Sequence, residues 1–187
     1  VSRLKLLANP RRIEFAKVER ELLAGPRPPV VLCLSEYVKR KVMRHYPLAP
    51  DRLLTLFNAI DLAKFDPAAR PEAGVAVRRR FGIASDKIVA LMIAQDFARK
   101  GLREAILAIA RVRDNRLVLL VVGKEDPASY RRLAEDEGVA RQIIFASATS
   151  DPYAFYRAAD FFVLPTRHDP CSLVVLEALA MGLPVIK

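Results

Sequence analysis

From Ile88 onward the sequence alternates short, wholly apolar runs with amphipathic stretches, and that alternation leaves few ways to fold. The runs Ile88–Ala94, Leu117–Val122, Ile143–Phe145 and Phe161–Leu164 carry no charge, so each fits a strand buried on both faces. Between them, residues 102–112, 129–137, 152–159 and 172–180 repeat apolar side chains at helical spacing, and a last strand opens at Pro184. Strands covered by helices on both faces run parallel, and their crossovers are right-handed. The predicted fold class is therefore α/β, a Rossmann-like doubly wound parallel sheet.

The residues ahead of this region are less regular. Arg3–Leu23 reads as a helix broken or restarted at Pro10, with Asn9 as its cap, and Gly25-Pro26-Arg27-Pro28-Pro29 reads as a loop. Val30–Leu34 and Leu53–Phe57 fit two further buried strands around a helix, Glu36–Tyr46, capped by Ser35. Asp66-Pro67 through Gly74 has the composition of a linker. An opening at Val1 and an end inside a nascent strand are expected of a piece of a longer protein.

Composition excludes several classes. With 187 residues, 52% hydrophobic and 28% charged, the chain has the make-up of a globular protein and not of a disordered one. Cys33 and Cys171 lie in apolar stretches and suit a reducing compartment, and with His45 and His168 they show no metal-ligand spacing. No apolar run has the length of a membrane span and the N-terminus has no signal-peptide pattern, so the expected location is cytoplasmic. The net charge of +10 is uneven: residues 1–52 hold 12 Lys/Arg against 5 Asp/Glu. That surplus suits peripheral contact with an anionic membrane surface at its inner face, or an anionic substrate; a solvated helix face is the alternative. Without interleaved aromatics, nucleic acid is not the expected partner.

Open α/β sheets bind ligands outside the carboxyl ends of their strands. That rule points to the loops Gln95–Gly101, Gly123–Pro127, Ala146–Asp151 and Pro165–Cys171. In the first, Arg99 and Lys100 precede Gly101, a pattern that can neutralise a diphosphate while the backbone turns closely; a solvated helix start is the alternative. After the fourth, a helix starting near Ser172 would offer the amides of Ser172, Leu173 and Val174 to an anion. Glu177 lies over one turn further on among Leu176, Ala178 and Leu179, where a carboxylate needs a partner; a ribose diol can supply one.

Asp169-x7-Glu177 followed by Ala-Leu-Ala-Met-Gly-Leu-Pro-Val-Ile resembles the E-x7-E motif of the retaining GT-B glycosyltransferases of family 4. Asp96-Phe97-Ala98-Arg99-Lys100-Gly101 resembles that family's phosphate loop, and in spelling its lipopolysaccharide-core glucosyltransferase subgroup. Asn58-Ala59-Ile60-Asp61 with Phe65-Asp66-Pro67 resembles its interdomain junction. The resemblance implies that residues 1–66 are the tail of the acceptor-side domain and 67–187 most of the donor domain, lacking its final strand and closing helices. It implies a nucleotide-diphosphate sugar as donor, with UDP-sugar expected, a glycan or lipid-linked acceptor, and neither metal nor cofactor. Arg99 and Lys100 would hold the diphosphate, Glu177 the ribose, and Asp169 would stand where the family's first Glu meets the transferred sugar. Asp169, Glu177 and Lys100 are thus the expected catalytic residues. The donor-binding set is Arg99, Lys100, Gly101, Ser172, Leu173, Val174 and Glu177. This sequence departs from the pattern in Asp169 for Glu, in Asn58-Ala59 for Asn-Gly, and in Pro170-Cys171-Ser172 for a glycine-rich stretch. Other readings are a non-catalytic nucleotide-sugar-binding fragment and a sugar-nucleotide epimerase; the second needs acid and base residues not found here.

Overall fold

The computed structural model describes residues 10–187, so the expected helix start at Arg3 and its Asn9 cap lie outside the described residues. Contacts divide the chain into two compact units, one ending at Asn58 and the other spanning Ala59–Lys187.

The first unit holds helix α1 (Pro10–Leu23), strand β1 (Val31–Cys33), helix α2 (Glu36–His45) and strand β2 (Leu53–Thr55). Ser35 caps α2 as expected, its hydroxyl accepting from Val38 N at 3.2 Å. β1 and β2 pair in parallel with Val31 opposite Leu53. Cys33 and Leu53 are buried, whereas Leu56 and Phe57, expected within the second strand, are exposed beyond its end. The apolar run there is longer than the strand pairing that supports it.

The second unit contains helix α3 (Ala73–Arg80), strand β3 (Ile88–Ile93), a one-turn helix α4 (Phe97–Lys100), and helix α5 (Leu102–Val112). Strand β4 (Leu117–Gly123), helix α6 (Ala128–Asp136) and strand β5 (Ile143–Ser147) follow. Helix α7 (Tyr153–Ala158), strand β6 (Phe161–Val163), helix α8 (Leu173–Ala180) and strand β7 (Val185–Ile186) complete it. Its sheet is five-stranded and parallel throughout, in the order β5-β4-β3-β6-β7. Val89–Met92, Leu119–Val122 and Phe162 are fully buried, which is why these runs carry no polar residue. β5 extends past Phe145 because Ala146 and Ser147 pair with Val122 and Gly123.

The segment with linker composition turns out to be partly structural. Gly74 lies in α3, and a Cβ there would come within 2.2 Å of the Arg157 carbonyl oxygen. Its glycine serves close packing of α3 on α7 and not chain freedom. Phe65 is also buried, edge-on to Tyr156 with ring centroids 6.0 Å apart. The Asp66 carbonyl accepts from the Tyr153 hydroxyl at 2.7 Å. These contacts draw residues 59–66 into the second unit, so the contact division lies ahead of the residue-66 boundary expected from sequence.

Candidate functional site

The strand order reverses between β3 and β6, and it is beyond the carboxyl ends of strands at such a switch point that open α/β sheets bind ligands. The expected phosphate loop, which follows β3, is itself the short helix α4. Asp96 starts it, accepting from Arg99 N at 2.9 Å, and Glu125 from the loop after β4 accepts from Phe97 N at 2.5 Å. Phe97 is buried, edge-on to Tyr130 with centroids 5.7 Å apart, which anchors the turn to the sheet. Gly101 then takes φ +84°, and a Cβ on it would stand 2.2 Å from the Pro165 carbonyl oxygen. The Thr166 hydroxyl donates to the Arg99 carbonyl at 3.1 Å, so the loops after β3 and β6 are locked together on both sides of Lys100.

Lys100 and Asp169 meet across this junction as an ion pair, with side chains only 13% and 8% exposed. Burial acts to raise the Asp169 pKa, but hydrogen bonds from Lys100 and Ser172 outweigh it and hold the carboxyl below its usual value. Ser172 is the residue preceding α8, yet its hydroxyl makes no capping bond to the helix. It serves Asp169 instead. Arg99 parts company with Lys100: its Nε lies 3.1 Å from Asp96 Oδ2, and its side chain is 54% exposed. Lys187 Nζ donates to the Asp169 carbonyl at 3.2 Å.

Glu177 is half-buried on α8 and engages a different partner. The Tyr156 hydroxyl lies 2.7 Å from Glu177 Oε2 and 3.2 Å from the Val174 carbonyl oxygen. Burial, aided by the bond to Glu177, pushes the Tyr156 pKa up, so the phenol stays a donor. Tyr156 carried no sequence signal, because an aromatic on a helix reads as core.

Two cavities flank α4. One, of about 500 Å³, lies beyond the ends of β4 and β5 and is lined by Phe97, Lys124, Glu125, Arg131 and Phe145 among others. The other, of about 320 Å³, is lined by Arg99, Gly101, Glu104, Pro165, Arg167 and His168. The sequence directs attention to the loop carrying Lys124 and Glu125 but not to either residue, nor to Arg131 one turn into α6. Cys33 is buried as expected, whereas Cys171 is only half-buried. Among the described residues, no group of three or more His, Cys, Asp or Glu side chains could hold a metal ion, and no helix is long and apolar enough to cross a membrane.

The fold has counterparts in known proteins. The chain is 27% identical over 175 residues to the lipopolysaccharide glucosyltransferase WaaG of Escherichia coli K12, covering 92% of this chain and 47% of that protein. It is 32% identical over 161 residues to a D-inositol 3-phosphate glycosyltransferase of Geodermatophilus obscurus, covering 79% of this chain and 35% of that one. It thus spans half or less of the length of these relatives. The crystal structure of WaaG, described as a glycosyltransferase involved in lipopolysaccharide biosynthesis, superposes with a TM-score of 0.87 at 27% identity, over 98% of this chain and 50% of that one. Anabaena Alr3699/HepE, crystallised with UDP-glucose, shares the fold with a TM-score of 0.80 at 16% identity, over 95% of this chain and 50% of that one. The family model described as glycosyl transferases group 1 matches residues 76–187, more than half of the chain. The chain belongs to the group 1 glycosyl transferases, and its fold is that of the GT-B enzymes.

Proposed function

We propose that the Ala59–Lys187 unit holds the donor of a retaining glycosyl transfer, a UDP-sugar, and that the whole protein passes the sugar to a glycan or lipid-linked acceptor. In this reading the residues ahead of the junction belong to the acceptor side. The observation that carries it is the Lys100–Asp169 pair, set where the strand order reverses and beside an α8 N-terminus that no side chain caps. A lysine there can turn from Asp169 to a diphosphate, and the amides of Ser172, Leu173 and Val174 add the attraction of a helix start. Both favour charge growing on the leaving diphosphate, with Gly101 allowing the close backbone turn. Asp169 takes the sugar side and Glu177 the ribose, while Arg99, spent on Asp96 and exposed, adds a lesser field. UDP and UDP-glucose in HepE support the choice of probe. The basic face of α2 suits peripheral contact with an anionic membrane at the cytoplasmic side. This chain alone, at about half the length of WaaG, binds donor without transferring it.

Thermal shift of this chain with UDP, UDP-glucose and uridine tests the reading. A ligand of the native state raises Tm with affinity. UDP and UDP-glucose are expected to raise it clearly and uridine only slightly. No rise with any nucleoside diphosphate overturns the proposal.

A further inference from the structure

We infer that Tyr156 is a positioning residue for Glu177, holding its carboxylate in the one orientation that presents an oxygen to the ribose of the donor. The inference rests on the donor-site reading above and adds to it a residue outside the loops and motifs that suggested that reading.

The phenol is 1% exposed, and its ring is fixed edge-on by Phe65 and tilted against Phe162, each with centroids 6.0 Å away. It has one proton and two acceptors in reach. Glu177 Oε2 at 2.7 Å is both nearer and charged, so it takes the larger share, and the Val174 carbonyl at 3.2 Å takes the rest. Val174 and Glu177 stand three residues apart on α8, one turn of the same helix. One immobile hydroxyl therefore grips the helix backbone and the side chain that projects from it. A free glutamate samples several rotamers, and this bond selects one of them. It also occupies Oε2 and takes no part of Oε1, the oxygen left to accept from a cis-diol. Phenylalanine would fill the same space in the core, so packing alone does not call for the hydroxyl.

The test compares binding of UDP with 2′,3′-dideoxyuridine diphosphate, which has no diol, by titration calorimetry on this chain. Tyr156→Phe is expected to weaken UDP by about three- to tenfold, less than the full worth of a hydrogen bond to a charged group because Glu177 itself remains, and the dideoxy nucleotide by less than about twofold. Combined with Glu177→Gln it should add nothing, because both changes remove one interaction. Equal losses on both nucleotides, or full additivity with Glu177→Gln, would make Tyr156 a packing residue and overturn the inference. Should Tyr156→Phe fail to fold, Tyr156→Met fills the site without a hydroxyl and carries the same comparison. If Glu177→Gln itself keeps the wild-type preference for the diol, the ribose assignment falls, and the role of Tyr156 falls with it. If Glu177→Gln loses that preference and Tyr156→Phe keeps it, only the positioning role falls.

Discussion

Lys100 and Asp169, 69 positions apart, join the β3 and β6 loops as a largely buried ion pair. Each neutralises a charge that the other would leave stranded. Removing one partner of such a pair costs more than the pair itself contributes, because the remaining charge stays buried. Asp169 retains Ser172 and the field of Lys187 when Lys100 is absent, so its loss is cushioned.

That relationship separates two substitutions that would otherwise look alike. Lys100→Ala should lower UDP affinity by about ten- to a hundredfold while changing uridine little, since a hydrogen bond to a charged group contributes about 1.5–3 kcal/mol. Asp169→Asn should instead tighten UDP by about two- to tenfold, because the carboxylate that competes with phosphate for Lys100 is gone. In the full-length enzyme it should lower turnover. Calorimetry on the two variants checks both signs; weaker UDP binding by Asp169→Asn would remove the competition.

Gly101 cannot carry a side chain. At φ +84°, with the Pro165 carbonyl oxygen 2.2 Å from where a methyl group would stand, Gly101→Ala combines left-handed strain with a backbone clash. Strain alone costs about 1–2 kcal/mol, and the clash should bring the loss to at least about 3 kcal/mol. Gly138→Ala has φ +72° and nothing within 4 Å, so it should lose only about 1 kcal/mol. Urea unfolding of the two variants measures the difference; equal losses would show that the β3 and β6 loops yield to the methyl group.

Acid should weaken the fold at a defined place. The side chain and backbone of Arg116 donate to Asp114 and hold its pKa at about 2, against an ordinary 3.8. A depressed carboxyl contributes stability that is complete above pH 3.8 and lost as pH falls toward 2. Asp114→Asn, with no charge to lose, should show a flatter fall of Tm across that window. Parallel curves for variant and wild type would leave the pair without consequence for acid stability.

Charge on α2 is the feature most open to a direct physical test. Arg40, Lys41 and Arg44 are exposed on this helix, with Lys39 half-buried beside them. Each such charge contributes about 1 kcal/mol near an anionic membrane. The protein is expected to sediment with phosphatidylglycerol vesicles and not with phosphatidylcholine, and to be released by salt. Arg40→Glu with Lys41→Glu should abolish the association, and sedimentation indifferent to lipid charge would make α2 a solvated face.

Sequence by itself determined the sheet. Runs such as Leu117–Val122 are apolar on both faces, a demand local enough to be read without any partner, and the same holds for α5, whose bounds, Leu102–Val112, agree with the apolar periodicity. The family also followed from the order of short motifs along the chain, with Lys100, Asp169 and Glu177 among them. Tertiary structure alone decided what those residues touch. Asp96 draws Arg99 aside through a local bond, whereas Lys100 finds Asp169 only because β3 and β6 are neighbours in the sheet. Tyr156 reaches Glu177 only because the fold brings its hydroxyl, on α7, to a residue 21 positions further on in α8. Gly74 looks like linker until Arg157 is set against it. Periodicity reports which face of an element is buried; which charge stands opposite which depends on strand order and loop packing, and these are properties of the assembled chain.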